Sequence, residues 1–117
     1  LGDLQNQPGM EHIINSPYVD YVEGLFQGKA QSLFQKYGAF DFVWFDCGGP
    51  PEYEAFLSEY LNICNSYVFF HFTYSEGRPN RNLEIIQSHT SNQWCMVDII
   101  EPHKKSQGSV TLAKRIC

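Results

Sequence analysis

Residues 40–51 read Phe-Asp-Phe-Val-Trp-Phe-Asp-Cys-Gly-Gly-Pro-Pro, and this stretch decides the fold class. From Phe42 to Phe45 the run is unbroken apolar, closed by Asp46. Such a run predicts a strand buried on both faces of a sheet. Gly48-Gly49 breaks it, and Pro51 suits the first turn of a helix, where a missing N–H is no loss. The clearest helix in the chain follows over 51–64, with Tyr53, Phe56, Leu57, Tyr60, Leu61 and Cys64 on one apolar stripe.

Downstream, residues 67–72 (YVFFHF) predict a second doubly buried strand, and 75–80 a polar loop. A weaker helix is expected over 82–89, then strands over 94–101 and 109–115. The link at 102–108 is too short for a crossover helix, so these last strands form a hairpin. Upstream, residues 18–23 (YVDYVE) predict a strand ended by Gly24, and 29–37 a helix stopped at Gly38. A short helix is expected near 10–15. Alternating strand and helix imply right-handed crossovers in a single three-layer α/β domain, with a mostly parallel sheet and a terminal antiparallel hairpin.

With 117 residues, 43% of them hydrophobic, one domain with a real core is expected. A net charge of −5 lacks the basic footprint of a nucleic-acid binder. The groups His103-Lys104-Lys105 and Lys114-Arg115 read as coatings of a turn and a strand end. No apolar run approaches the roughly 18 residues needed to span a bilayer, and no signal peptide opens the chain. Four cysteines without a C-x-x-C pair argue against structural zinc and for reduced thiols, hence a cytoplasmic protein. The chain opens on Leu1, as expected of a processed chain or a piece of a longer one.

The succession of elements over 18–115 resembles the C-terminal half of a class I S-adenosylmethionine-dependent methyltransferase, a Rossmann-like domain. Tyr21 to Gln27 (YVEGLFQ) is similar to that family's third strand and the adenine-contacting turn after it. Residues 40–46 resemble the fourth strand of small-molecule O-methyltransferases, and 108–115 (GSVTLAKR) the last strand. The resemblance implies S-adenosylmethionine as cofactor and methyl transfer to an oxygen or nitrogen of a small molecule. The family's glycine-rich cofactor loop has no counterpart, because Gly48-Gly49 follows the wrong strand. In the family the first strand lies beside the fourth, so the edge of 40–46 would here be open to another chain. Three readings follow: a longer natural protein supplies the missing N-terminal half, the sheet is rearranged, or two chains complete each other as a homo-oligomer. The first is preferred.

Asp46 is the leading candidate residue, since acidic groups at the C-terminal ends of central strands face the ligand crevice. It reads alternatively as a cap of the following helix. In metal-dependent relatives the matching Asp binds Mg²⁺, but His71-Phe72-Thr73 supplies no further carboxylate, so no metal is expected. His71 reads as a general base or as a histidine satisfied by a carbonyl. The resemblance gives Asp3 the ribose hydroxyls and sets Gly24, Phe26, Gln27 and Asp46 around the cofactor. Leu25 replaces an acidic residue there, and Leu25 and Phe26 read alternatively as packing beneath the next helix. Tyr74 and Glu76 are candidate pocket-shaping loop residues. The competing function is a non-catalytic module that associates through the open strand edge.

Overall fold

A computed structural model describes residues 9–100 and 109–116. Helix α1 (Met10–Ile14) leads through an irregular stretch to α2 (Ala30–Tyr37) and strand β1 (Phe40–Phe45). Helix α3 (Pro50–Tyr60) and one 3-10 turn (Leu61–Ile63) return the chain to β2 (Cys64–His71). A two-rung hairpin, β3 (Tyr74–Ser75) and β4 (Arg78–Pro79), precedes α4 (Arg81–His89), β5 (Trp94–Ile100) and β6 (Ser109–Arg115).

The start of α3 shows how local sequence sets local structure. Pro50 and Pro51 occupy its first two positions, and Glu52 reaches back to accept from the Gly49 amide at 3.1 Å. Gly48, at φ 65°, leaves room for this cap, since a Cβ there would stand 2.1 Å from Glu52 Oε1. Asp46 does not cap the helix. The helix ends at Tyr60 rather than at Cys64, which opens β2 instead.

The main sheet has the order β1-β2-β6-β5. β1 and β2 are parallel, with Val43 beside Val68 and Phe45 beside Phe70. β6 is antiparallel to both of its neighbours, β2 and β5. The expected mostly parallel, Rossmann-like sheet is therefore corrected: only one of its pairings is parallel. The reason is placement. β1, β2 and β5 share a direction, and the one reversed strand inserts between β2 and β5 rather than joining at the edge.

The three-layer expectation is corrected too. Tyr53, Phe56, Leu57 and Tyr60 of α3 and Ile85 and Ile86 of α4 form one core with Phe45, Val68, Phe70, Trp94 and Ala113. Within it the Phe45 and Phe56 rings stack at 4.2 Å, and Tyr60 stacks on Phe56 at 5.3 Å. On the opposite face Phe42, Trp44, Val97 and Ile99 are more than half exposed. Both crossovers advance from β1 towards β5, and crossovers of one hand and one direction lay their helices on the same face. The strands are apolar on both faces but, among the described residues, covered by helices on one.

Residues 18–23 form no strand, and Tyr18 is 95% exposed. Strand propensity is realised only against a ladder partner, and none runs beside this segment among the described residues. The 75–80 loop contains the β3–β4 hairpin, whose central Glu76 and Gly77 both take the positive φ that a tight hairpin turn requires. Among the described residues, no helix is long and apolar enough to cross a membrane.

Two outcomes follow. Phe56→Ala empties the centre of the aromatic stack and is expected to cost about 3–5 kcal/mol, read as a lowered urea midpoint. Burial pushes the Cys64 thiol up to about 12, against a smaller opposing pull from Arg115. Iodoacetamide at mildly alkaline pH is therefore expected to label exposed Cys95 and spare Cys64 until the chain is unfolded, as mass spectrometry would show.

Candidate functional site

The parallel β1–β2 ladder ends with two polar residues side by side. Asp46 follows the last residue of β1, and His71 is the last residue of β2. His71 Nδ1 lies 3.1 Å from Asp46 Oδ1, with the imidazole side chain 20% exposed and the carboxylate 49%. A carboxylate can only accept, so in the neutral ring the proton sits on Nδ1 and the lone pair on Nε2. Trp44, two residues before Asp46, stacks on the imidazole at 6.2 Å and 26°.

The backbone that carries His71 is held from several sides. The Tyr53 hydroxyl, from α3, donates to the His71 carbonyl. Burial, with the Asp46 charge adding to it, keeps that phenol protonated well above its ordinary range. Phe72 has φ 61°, a conformation that costs a bulky residue about 1–3 kcal/mol and persists where its surroundings enforce it. The Asn80 and Asn82 amides both donate to the Phe72 carbonyl, at 2.9 and 3.0 Å, and the Phe72 amide donates to Ser109. The next two amides, of Thr73 and Tyr74, donate to Ser109 Oγ. Asn82 is almost fully buried, and its Oδ1 has no hydrogen-bond partner among the described residues.

A groove of about 500 Å³ runs along the outer edge of β1 and ends at Asp46 and Cys47. Leu25, Phe26 and Leu33 form its far wall, and Phe45, Phe56 and Tyr60 lie at its base. Its surface is largely apolar, of the kind that accepts a flat ring.

The sequence candidates divide accordingly. Asp46 and His71, read separately, are brought together. Gly24, at φ 106°, and Phe26 line the groove. Phe26 is also built into the core: it packs edge-on against Phe45 at 5.3 Å, and its carbonyl accepts from the Tyr60 hydroxyl. Gln27 is exposed and does not line the groove, while Leu25, 69% exposed, stands at its lip. Asp3 lies outside the described residues. Tyr74 donates to Asp98 at 2.8 Å, which raises the Tyr74 pKa, and it does not line the groove. Among the described residues, no three His, Cys, Asp or Glu side chains gather as metal ligands would.

Sequence reasoning missed Trp44, Tyr53, Asn80 and Asn82 as supports of His71. Only Asn80 carried a local signal, as an N-cap type before a helix, and its Oδ1 does accept from the Leu83 amide. No family model matches the chain, and neither does any curated protein or solved structure.

If Asp46 holds the tautomer, Asp46→Asn is expected to move the neutral His71 ring from an Nδ1–H form to a mixture of tautomers. Long-range proton–nitrogen NMR of the imidazole reads this directly. An unchanged spectrum would show that the 3.1 Å contact does not orient the ring.

Proposed function

We propose that this chain carries the acceptor side of an S-adenosylmethionine-dependent methyltransferase that acts on an oxygen or nitrogen of a small molecule. The observation behind this reading is the Asp46–His71 pair, whose Asp46 also lines the β1 groove. A carboxylate beside Nδ1 orients the imidazole, and an imidazole is the group suited to take the proton from a hydroxyl or amine as a general base near neutral pH. Trp44 offers a flat apolar wall beside that ring, suited to hold a ring-bearing acceptor in line.

The residues present fit part of the cofactor. The apolar groove with Gly24, Leu25 and Phe26 on its wall suits an adenine ring, and Asp46 closes the same groove. When bound, S-adenosylmethionine supplies a methyl group on a positively charged sulfur. The glycine-rich turn that would hold the rest of it is absent from the sequence, so the reading includes a further segment that contributes this turn. Free thiols at Cys47, Cys64 and Cys95 support a cytoplasmic setting. Within this reading the substrate is a small molecule, and neither nucleic acid nor membrane is a partner.

A second reading is a non-catalytic association module. Among the described residues β1 pairs with β2 alone, and its other edge opens into the apolar groove, as a strand-accepting edge would.

Calorimetric titration of S-adenosylhomocysteine into the chain separates the two. The expected result for the enzyme reading is binding in the micromolar range, with His71→Ala leaving that affinity unchanged. Transfer to a panel of small phenols and amines is then expected to fall about 100- to 10,000-fold in His71→Ala. Absence of binding, by this chain and by the chain with its natural upstream sequence, would leave the association reading alone.

A further inference from the structure

Part of the wall of the β1 groove is built by residues 24–29, which belong to no helix or strand. Leu25 and Phe26 line the groove between two glycines in left-handed conformations, Gly24 at φ 106° and Gly28 at φ 81°. The element that follows, α2, begins without a cap of its own. Lys29 stands at its N-cap position, the Lys29 side chain does not cap it, and no acidic residue lies in its first turn. A helix start leaves amides in want of an acceptor and carries partial positive charge.

The last turn of α3 supplies both the acceptor and the negative charge. The Glu59 carboxylate accepts from the Gly28 amide at 3.0 Å through Oε2 and from the Ala30 amide at 3.3 Å through Oε1. Its neighbour Tyr60 donates its hydroxyl to the Phe26 carbonyl. Burial, with the Glu59 charge adding to it, raises the pKa of that phenol, so it stays a donor. From within the segment, Lys29 Nζ donates to the Leu25 carbonyl at 2.7 Å, and Gly24 leaves room for it, since a Cβ there would stand 3.0 Å from Lys29 Nζ.

We propose that Glu59 is the positioning residue of the groove: as a cap for α2 that comes from α3, it latches the wall formed by Leu25 and Phe26 and so sets how tightly the groove holds a ligand. Glu59 does nothing for its own helix. It lies at the C-terminal end of α3, where the macrodipole disfavours a negative charge, and its place is explained by the helix start it faces. The task also calls for a carboxylate. Two acceptor oxygens serve two amides at once, whereas a side-chain amide would turn its NH₂ towards one of the N–H donors. Glu54, on the same helix, ties α3 to α4 through His89 at 3.0 Å and provides a control.

Amide exchange followed by NMR in the wild-type chain and in Glu59→Gln tests the latch. Exchange about tenfold faster is expected at Gly28, Lys29, Ala30 and Leu33, with Val68 and Phe70 of β2 unchanged. Glu54→Gln is expected to leave all of these amides as they are. Indole is the probe of the groove, because a neutral flat ring tests the wall without assuming the methyl-transfer reading. Its titration is expected to shift the Gly24 and Phe26 resonances, with affinity about threefold or more weaker in Glu59→Gln and unchanged in Glu54→Gln. Unchanged exchange at Gly28 and Ala30, or a rise shared equally by β2, overturns the proposal. So does faster exchange without loss of indole affinity, or a wild-type groove that takes no indole. Should Glu59→Gln fail to fold, Tyr60→Phe keeps the packed ring and removes only the hydroxyl on the Phe26 carbonyl. Faster exchange at Lys29 and Ala30 with weaker indole binding then supports the latch, and wild-type behaviour refutes it.

Discussion

The parallel ladder between β1 and β2 is the constraint from which the rest of this structure follows. Two parallel strands cannot be joined by a tight turn, so the chain must leave the sheet and return. α3 is that return path, and its stripe supplies Tyr53, Phe56, Leu57 and Tyr60 to the core against Phe45 and Phe70. The same parallel arrangement ends both strands on one side, and that is how Asp46 and His71, 25 residues apart in sequence, come within 3.1 Å. An antiparallel pair would have put them at opposite ends.

What could be read from the sequence was what local pattern determines. The stripe of α3 and the apolar runs of β1 and β2 gave these elements to within a few residues, because each needs only its own periodicity. The number of layers was not legible. Phe42 and Trp44 are as apolar as Val43 and Phe45, and nothing within the strand says which pair a helix will cover. Strand order was equally hidden, since β6 reaches its place between β2 and β5 through pairings that no local signal reports. Residues 18–23 show the converse, a strand-like composition with no ladder beside it among the described residues.

The candidate site was legible in its members and not in its assembly. Asp46 and His71 were each recognisable as a polar group closing an apolar run. Their contact depends on the β1–β2 register, a non-local quantity. The supports were less visible still, because Tyr53 looked like one more member of an apolar helix stripe. Its hydroxyl proves to be the group that fixes the His71 carbonyl. Phe26 was read as a choice between adenine contact and core packing. The structure packs its ring against Phe45, Phe56 and Tyr60, and the residue also lines the groove.

The left-handed Phe72 ties distant parts of the chain into one mechanical unit. Its carbonyl is gripped by side chains from the entry to α4, and the carbonyl before it by a side chain from α3. The backbone that carries the histidine is thus held by two helices at once, through two consecutive peptide units.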